Sequence, residues 1–116
     1  MTVRRVVPDL PSDGPRRAGE FYSRVLGLRT VMDMDWIVTL ADPETGRHQI
    51  SLMSHDATAP VAPSLSVEVD DVDGAYAAAV AAGAEIVHPL TDEPWGVRRF
   101  FVRDPDGNVV NVLSHR

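Results

Sequence analysis

Four histidines and no cysteine make up the nitrogen and sulfur metal ligands of this chain. A thiolate metal site and a disulfide framework are therefore both excluded. His48, His55, His88 and His115 form neither H-x-x-x-H nor H-E-x-x-H, the spacings that set two imidazoles on one helical face. They read as solvated residues at strand edges and strand ends. Ser51, Ser64 and Ser66 offer hydroxyls, but there is no G-x-S-x-G elbow, no G-x-G-x-x-G and no phosphate loop. What remains is binding chemistry. Trp36 and Trp95 can clamp a planar ligand, worth about 0.5–1.5 kcal/mol per ring pair beyond area burial. Glu68, facing inward, would anchor a cationic ligand. Arg98 and Arg99 are adjacent on an expected strand and point to opposite faces, so at most one can hold a carboxylate or phosphate. Glu85, Asp92 and Glu93 read as surface charge.

The elements that must position these groups are short. Val3 to Asp9 is predicted as a strand, closed by Pro11-Ser12-Asp13-Gly14-Pro15. Asp13 or Gly14 caps a helix with Pro15 in its first turn, where a missing N–H costs nothing. That helix carries Ala18, Phe21, Tyr22, Val25 and Leu26 at helical spacing and ends at Gly27. Leu28 to Met34, Trp36 to Leu40 and Gln49 to Ser54 follow as strands, and residues 56–63 form a Pro/Ala-rich linker. The order then recurs: a strand over Leu65 to Val69, a helix over Val72 to Ala82 closed by Gly83, and strands over Glu85 to Val87, Val97 to Arg103 and Val109 to Ser114.

Each half also ends alike. Asp42-Pro43-Glu44-Thr45-Gly46 leads into Ile50-Ser51-Leu52-Met53-Ser54-His55, and Asp104-Pro105-Asp106-Gly107 leads into Val110-Asn111-Val112-Leu113-Ser114-His115. A duplicated βαβββ unit accounts for this. The expected fold is α+β, a single domain over 1–116 in which two tandem βαβββ modules, about 1–55 and 64–116, form a curved mixed sheet around a cavity.

Composition narrows the function classes. With 116 residues and 44% hydrophobic content the chain can bury one core. No stretch approaches the roughly 20 apolar residues of a membrane helix, and no signal-peptide pattern opens the chain, so cytoplasm is the expected location. The net charge of −6, with eleven arginines and no basic stripe, disfavours nucleic acid and suits either solubility or a cationic ligand.

Glu20-Phe21-Tyr22 with Val25-Leu26-Gly27, and Asp104-Pro105-Asp106-Gly107-Asn108, resemble the vicinal oxygen chelate superfamily of glyoxalase I, extradiol dioxygenases, fosfomycin-resistance enzymes and bleomycin-binding proteins. The resemblance spans essentially the whole chain. Pro8-Asp9-Leu10-Pro11-Ser12 and Glu93-Pro94-Trp95-Gly96 are further similar to the bleomycin-resistance branch, which sequesters a drug unaltered. Enzymes of the superfamily hold a divalent cation with His, Glu or Gln from four strands. Carried over by register, those positions fall near Val7, Ser51, Ser64 and Asn111. Neutral hydroxyls and one amide cannot replace imidazoles and carboxylates around a transition metal, so neither metal nor cofactor is expected.

With Ser51, Ser64 and Asn111 placed on the cavity side, alternation adds Met53, Ser66, Glu68, Arg99 and Phe101, and leaves Phe100, Val102, Val110 and Val112 for the helix-facing core. Trp36 and Trp95 complete the expected ligand-binding set. The resemblance implies a homodimeric, metal-free small-molecule-binding protein, with antibiotic sequestration of the bleomycin type as its specific form and a cationic or aromatic ligand. The alternative is a glyoxalase- or dioxygenase-like lyase, isomerase or cyclase, with Glu68 as a general base.

Overall fold

The computed structural model describes residues 1–116. Ten elements follow in order: β1 (Val3–Pro11), α1 (Pro15–Leu26), β2 (Arg29–Asp33), β3 (Ile37–Ala41), β4 (Gln49–Met53), β5 (Leu65–Val69), α2 (Val72–Ala81), β6 (Ile86–Asp92), β7 (Val97–Arg103) and β8 (Val109–His115). This is the mixed α+β fold of two βαβββ modules. The chain divides into two compact units, one of residues 7–62 and one of residues 1–6 with 63–116.

In the unit of residues 7–62 the strand order is β2-β3-β4-β1. β3 is antiparallel to β2 and β4, while β1 runs parallel to β4 with Asp9 opposite Ser51. Gly14 is the N-cap of α1, and Pro15 follows at a position that needs no N–H. Ala18 and Tyr22, four residues apart, pack on Val38, Leu40 and Leu52. Gly19 is buried against the same residues, where a Cβ would meet Val38 Cγ1 at 3.4 Å, ordinary van der Waals contact. Phe21, Val25 and Leu26, expected in the helix's apolar stripe, are exposed instead. The helix spends its close approach on the narrow Pro15, Ala18, Gly19 and Tyr22 side.

In the other unit the order is β5-β8-β7-β6. β5 is parallel to β8, and β7 is antiparallel to both β8 and β6. The first residues of the chain belong here: Thr2 N donates to Asp70 Oδ1 at 2.8 Å, and Asp70 N donates to Thr2 O at 3.1 Å. Asp71 caps α2 by accepting from Gly74 N. The alanine-rich helix lays Val72, Ala75, Tyr76 and Ala79 against Val69, Phe100, Val102 and Val112. Tyr76 meets Phe100 edge-on at 5.1 Å.

β6 is longer than the expected Glu85 to Val87 strand. It runs through Pro89 to Asp92, with register shifts between Ile86 and His88 and between His88 and Thr91. Proline is tolerated because β6 is outermost and its outer side needs no donor. The two duplicated turns are built alike. Asp42 accepts from the backbone N–H groups of Glu44, Thr45 and His48. Asp104 accepts from those of Asp106 and Asn108 and from Asn108 Nδ2.

Candidate functional site

Alternation along β4 sends Ile50 and Leu52 to α1 and leaves Ser51 and Met53 on the opposite face, both buried. Thr39 lies directly across from Ser51, and their hydroxyl oxygens are 2.6 Å apart. Asp9 is the opposite neighbour of Ser51 and is only 5% exposed, a buried carboxylate that sequence reasoning passed over. Trp36 stands just before β3, in the turn where Asp35 adopts φ 71°, and is half-buried. Its ring is tilted over His55 at 6.1 Å. Trp36, Ser51 and Met53 thus all belong to the unit of residues 7–62.

The remaining expected residues belong to the other unit. Phe100 packs on α2, so Arg99 and Phe101 face away from the helix, and both are buried. Asn111 pairs with Ser66 on one side and Phe101 on the other, which makes a row Ser66–Asn111–Phe101 across three strands. Asn111 Nδ2 donates to Ser66 Oγ at 3.0 Å, while its Oδ1 is buried with no hydrogen-bond partner. An amide oxygen left so costs about 1–3 kcal/mol. Ser64 stands apart, exposed at the mouth of β5, its N–H bonded to Val109 O.

Glu68 shares the face of Ser66, but its carboxylate is engaged within the chain. Arg5 Nε lies 3.1 Å from Oε1, and His115 Nδ1 lies 2.7 Å from Oε2. Arg98, on the α2 side, binds Asp73 and Asp92. Arg99 holds an internal carboxylate too: its Nε donates to Glu93 Oε2 at 2.5 Å. Its Cζ lies 5.0 Å from the Trp95 ring centre and 4.8 Å from that of Phe101.

Two expectations are corrected here. Glu93, read as surface charge, is 8% exposed, and His88, read as a solvated strand-edge histidine, is 7% exposed. His88 Nε2 lies 3.2 Å from Glu93 Oε2, and its ring is 5.1 Å from that of Phe101. The longer β6 carries His88 inward, and Arg99 supplies the partner that makes a buried Glu93 tolerable. Arg99 on the face opposite Phe100 was the available signal, since a buried guanidinium implies a carboxylate nearby.

The four positions that the superfamily resemblance assigns to metal ligands do not suit a divalent cation. Val7 is buried hydrocarbon, Ser51 is bonded to Thr39, Ser64 is a lone exposed hydroxyl, and Asn111 is one neutral amide. Nowhere do three His, Asp or Glu side chains gather as a metal would require. No helix is long and apolar enough to cross a membrane.

The fold is shared with solved structures. A glyoxalase/bleomycin resistance protein/dioxygenase superfamily member from Vibrio splendidus superposes with a TM-score of 0.69 at 22% identity, covering 97% of this chain and 99% of its own. Methylmalonyl-CoA epimerase from Mycobacterium tuberculosis gives 0.66 at 19%, covering 98% and 87%. A Legionella pneumophila chain described as NAD-dependent benzaldehyde dehydrogenase gives 0.75 at 17%, covering 96% and 99%. At these identities the likeness is one of fold. None of the curated proteins matches the chain. The family model for the Glyoxalase/Bleomycin resistance protein/Dioxygenase superfamily matches residues 4–112, nearly the whole chain, and to that superfamily the chain belongs.

Proposed function

We propose that this chain is a small-molecule-binding protein that works without a metal, holding a planar aromatic compound on the sheet face opposite α2. Bleomycin-type drug sequestration is the specific form to test first. The observation that carries the reading is Asn111, whose amide oxygen is buried and unpartnered between Ser66 and Phe101. An N–H or O–H of a ligand would satisfy it, and the half-buried Trp95 supplies ring surface. Trp36, Ser51 and Met53 are proposed as ligand contacts within their own unit, and a homodimer as the assembly. The alternative, a metal-independent lyase, isomerase or cyclase with Glu68 as base, has less support because Arg5 and His115 already occupy that carboxylate.

A native-state ligand must raise the melting temperature. Bleomycin and a panel of aromatic antibiotics and metabolites are expected to yield at least one such shift in the wild type, absent in Asn111→Leu. An unchanged shift in that variant would sink the reading. No response to millimolar bleomycin would remove that drug alone.

A further inference from the structure

The turn between β6 and β7 carries the ring that the proposed site uses, and a buried charge network holds it. Glu93-Pro94-Trp95-Gly96 returns the chain from Asp92 to Val97. Glu93 N donates to Val97 O at 2.8 Å, Gly96 N to Glu93 O at 3.2 Å, and Arg116 N to Gly96 O at 2.8 Å. Gly96 sits at φ 92°, where a side chain would be strained. A carboxylate in such a turn ordinarily points into water. That of Glu93 turns inward, to Arg99 and His88, and Arg99 in turn lies over the Trp95 and Phe101 rings.

A buried ion pair is a poor source of stability, since apolar side chains of like volume do as well. It does fix geometry, because a short charge-assisted bond leaves neither long side chain freedom to choose another rotamer. We infer that Glu93 is a positioning residue: through Arg99 it sets the Trp95 ring in place before any ligand arrives. The inference rests on the reading that Trp95 and Asn111 serve one ligand site. Its advantage to such a site is preorganisation, because a ring already ordered gives up little freedom on binding.

Trp36→Phe leaves Trp95 as the sole tryptophan, so its fluorescence reports the ring alone. In that background the anisotropy is expected to decay with overall tumbling only. Adding Glu93→Gln, similar in shape but uncharged, is expected to introduce a sub-nanosecond component. Acrylamide quenching should rise severalfold as the loss of the Glu93 charge weakens its bond to Arg99 and loosens the ring, with the far-UV circular dichroism unchanged. A fast component already present in Trp36→Phe overturns the inference, whether or not the double variant folds. So does unchanged quenching in a folded double variant. Trp95→Ala separates the two claims, with bleomycin and 8-anilinonaphthalene-1-sulfonate as thermal-shift probes. A wild-type shift lost in Trp95→Ala supports the ligand site. A shift retained there, or absent from the wild type with both probes, counts against the site, while the anisotropy result stands.

Discussion

Asn111 and Ser66 face each other across β8 and β5, and the amide nitrogen of the first donates to the hydroxyl of the second at 3.0 Å. The amide oxygen has no such relief. Replacing Asn111 by leucine removes an unsatisfied acceptor and keeps the volume. Stability should therefore hold within about 1 kcal/mol or rise, where a satisfied buried amide would cost more to lose. Urea unfolding of both proteins measures this. A loss of several kcal/mol would show that the amide is a structural keystone rather than a reserved acceptor.

The α2 core offers a sharper stability test. Phe100 is 1% exposed and touches Tyr76, Val69 and Val72. Phe100→Ala should cost about 3–5 kcal/mol through lost burial and the cavity left behind. Phe21→Ala, by contrast, should stay within about 0.5 kcal/mol, because that ring is exposed on α1. Denaturant midpoints distinguish the two. Equal costs would mean that the burial pattern is misassigned.

Gly107 lies at φ 90° in the second duplicated turn. Alanine there should lower stability by about 1–2 kcal/mol, the penalty of forcing an L side chain into that region. A neutral substitution would indicate that the turn adopts another conformation in solution.

Acid sensitivity follows from the same turns. Asn108, through side chain and backbone, holds the Asp104 carboxyl below its ordinary range, and the backbone N–H groups of Thr45 and His48 do so for Asp42. Arg16 does the same for Asp33. In each case the folded value lies below the unfolded value of about 4. The contribution is therefore complete above that value and disappears as pH falls through the folded one. Urea midpoints should be flat from neutrality to about pH 5 and decline below it. Asp104→Asn should flatten part of that decline. A midpoint rising on acidification would contradict the sign.

Metal addition gives a direct check on the ligand chemistry. Dialysis against chelator followed by Zn, Ni, Mn or Fe salts should leave the melting temperature unchanged and confer no methylglyoxal–glutathione lyase activity. A stoichiometric metal surviving chelator would overturn the metal-free proposal, since bound cations stabilise the native state by mass action.

Much of this fold can be read in the residues themselves. Two-residue alternation is enough to send Phe100, Val102 and Val112 toward α2 and Arg99, Phe101 and Asn111 to the other face, because Phe100 with Val102 on β7 and Val110 with Val112 on β8 put apolar side chains two residues apart on one side. Helical periodicity misleads at Phe21, Val25 and Leu26, whose spacing fits a buried stripe that α1 does not use. The site is harder. Glu93 and His88 are polar residues beside prolines, and local sequence reads them as solvent-facing. Only the register of the β6–β7 hairpin, which seats both near Arg99, makes their burial possible. Asp9 is concealed in the same way, its environment depending on the parallel pairing of β1 with β4.

Pro89, which obscures β6 in the sequence, has a bearing on life in a crowded cell. The outermost strand of that sheet lacks one amide hydrogen and breaks register twice. An incoming extended chain finds an irregular margin there, so growth of intermolecular fibrils from that rim is obstructed at its first step.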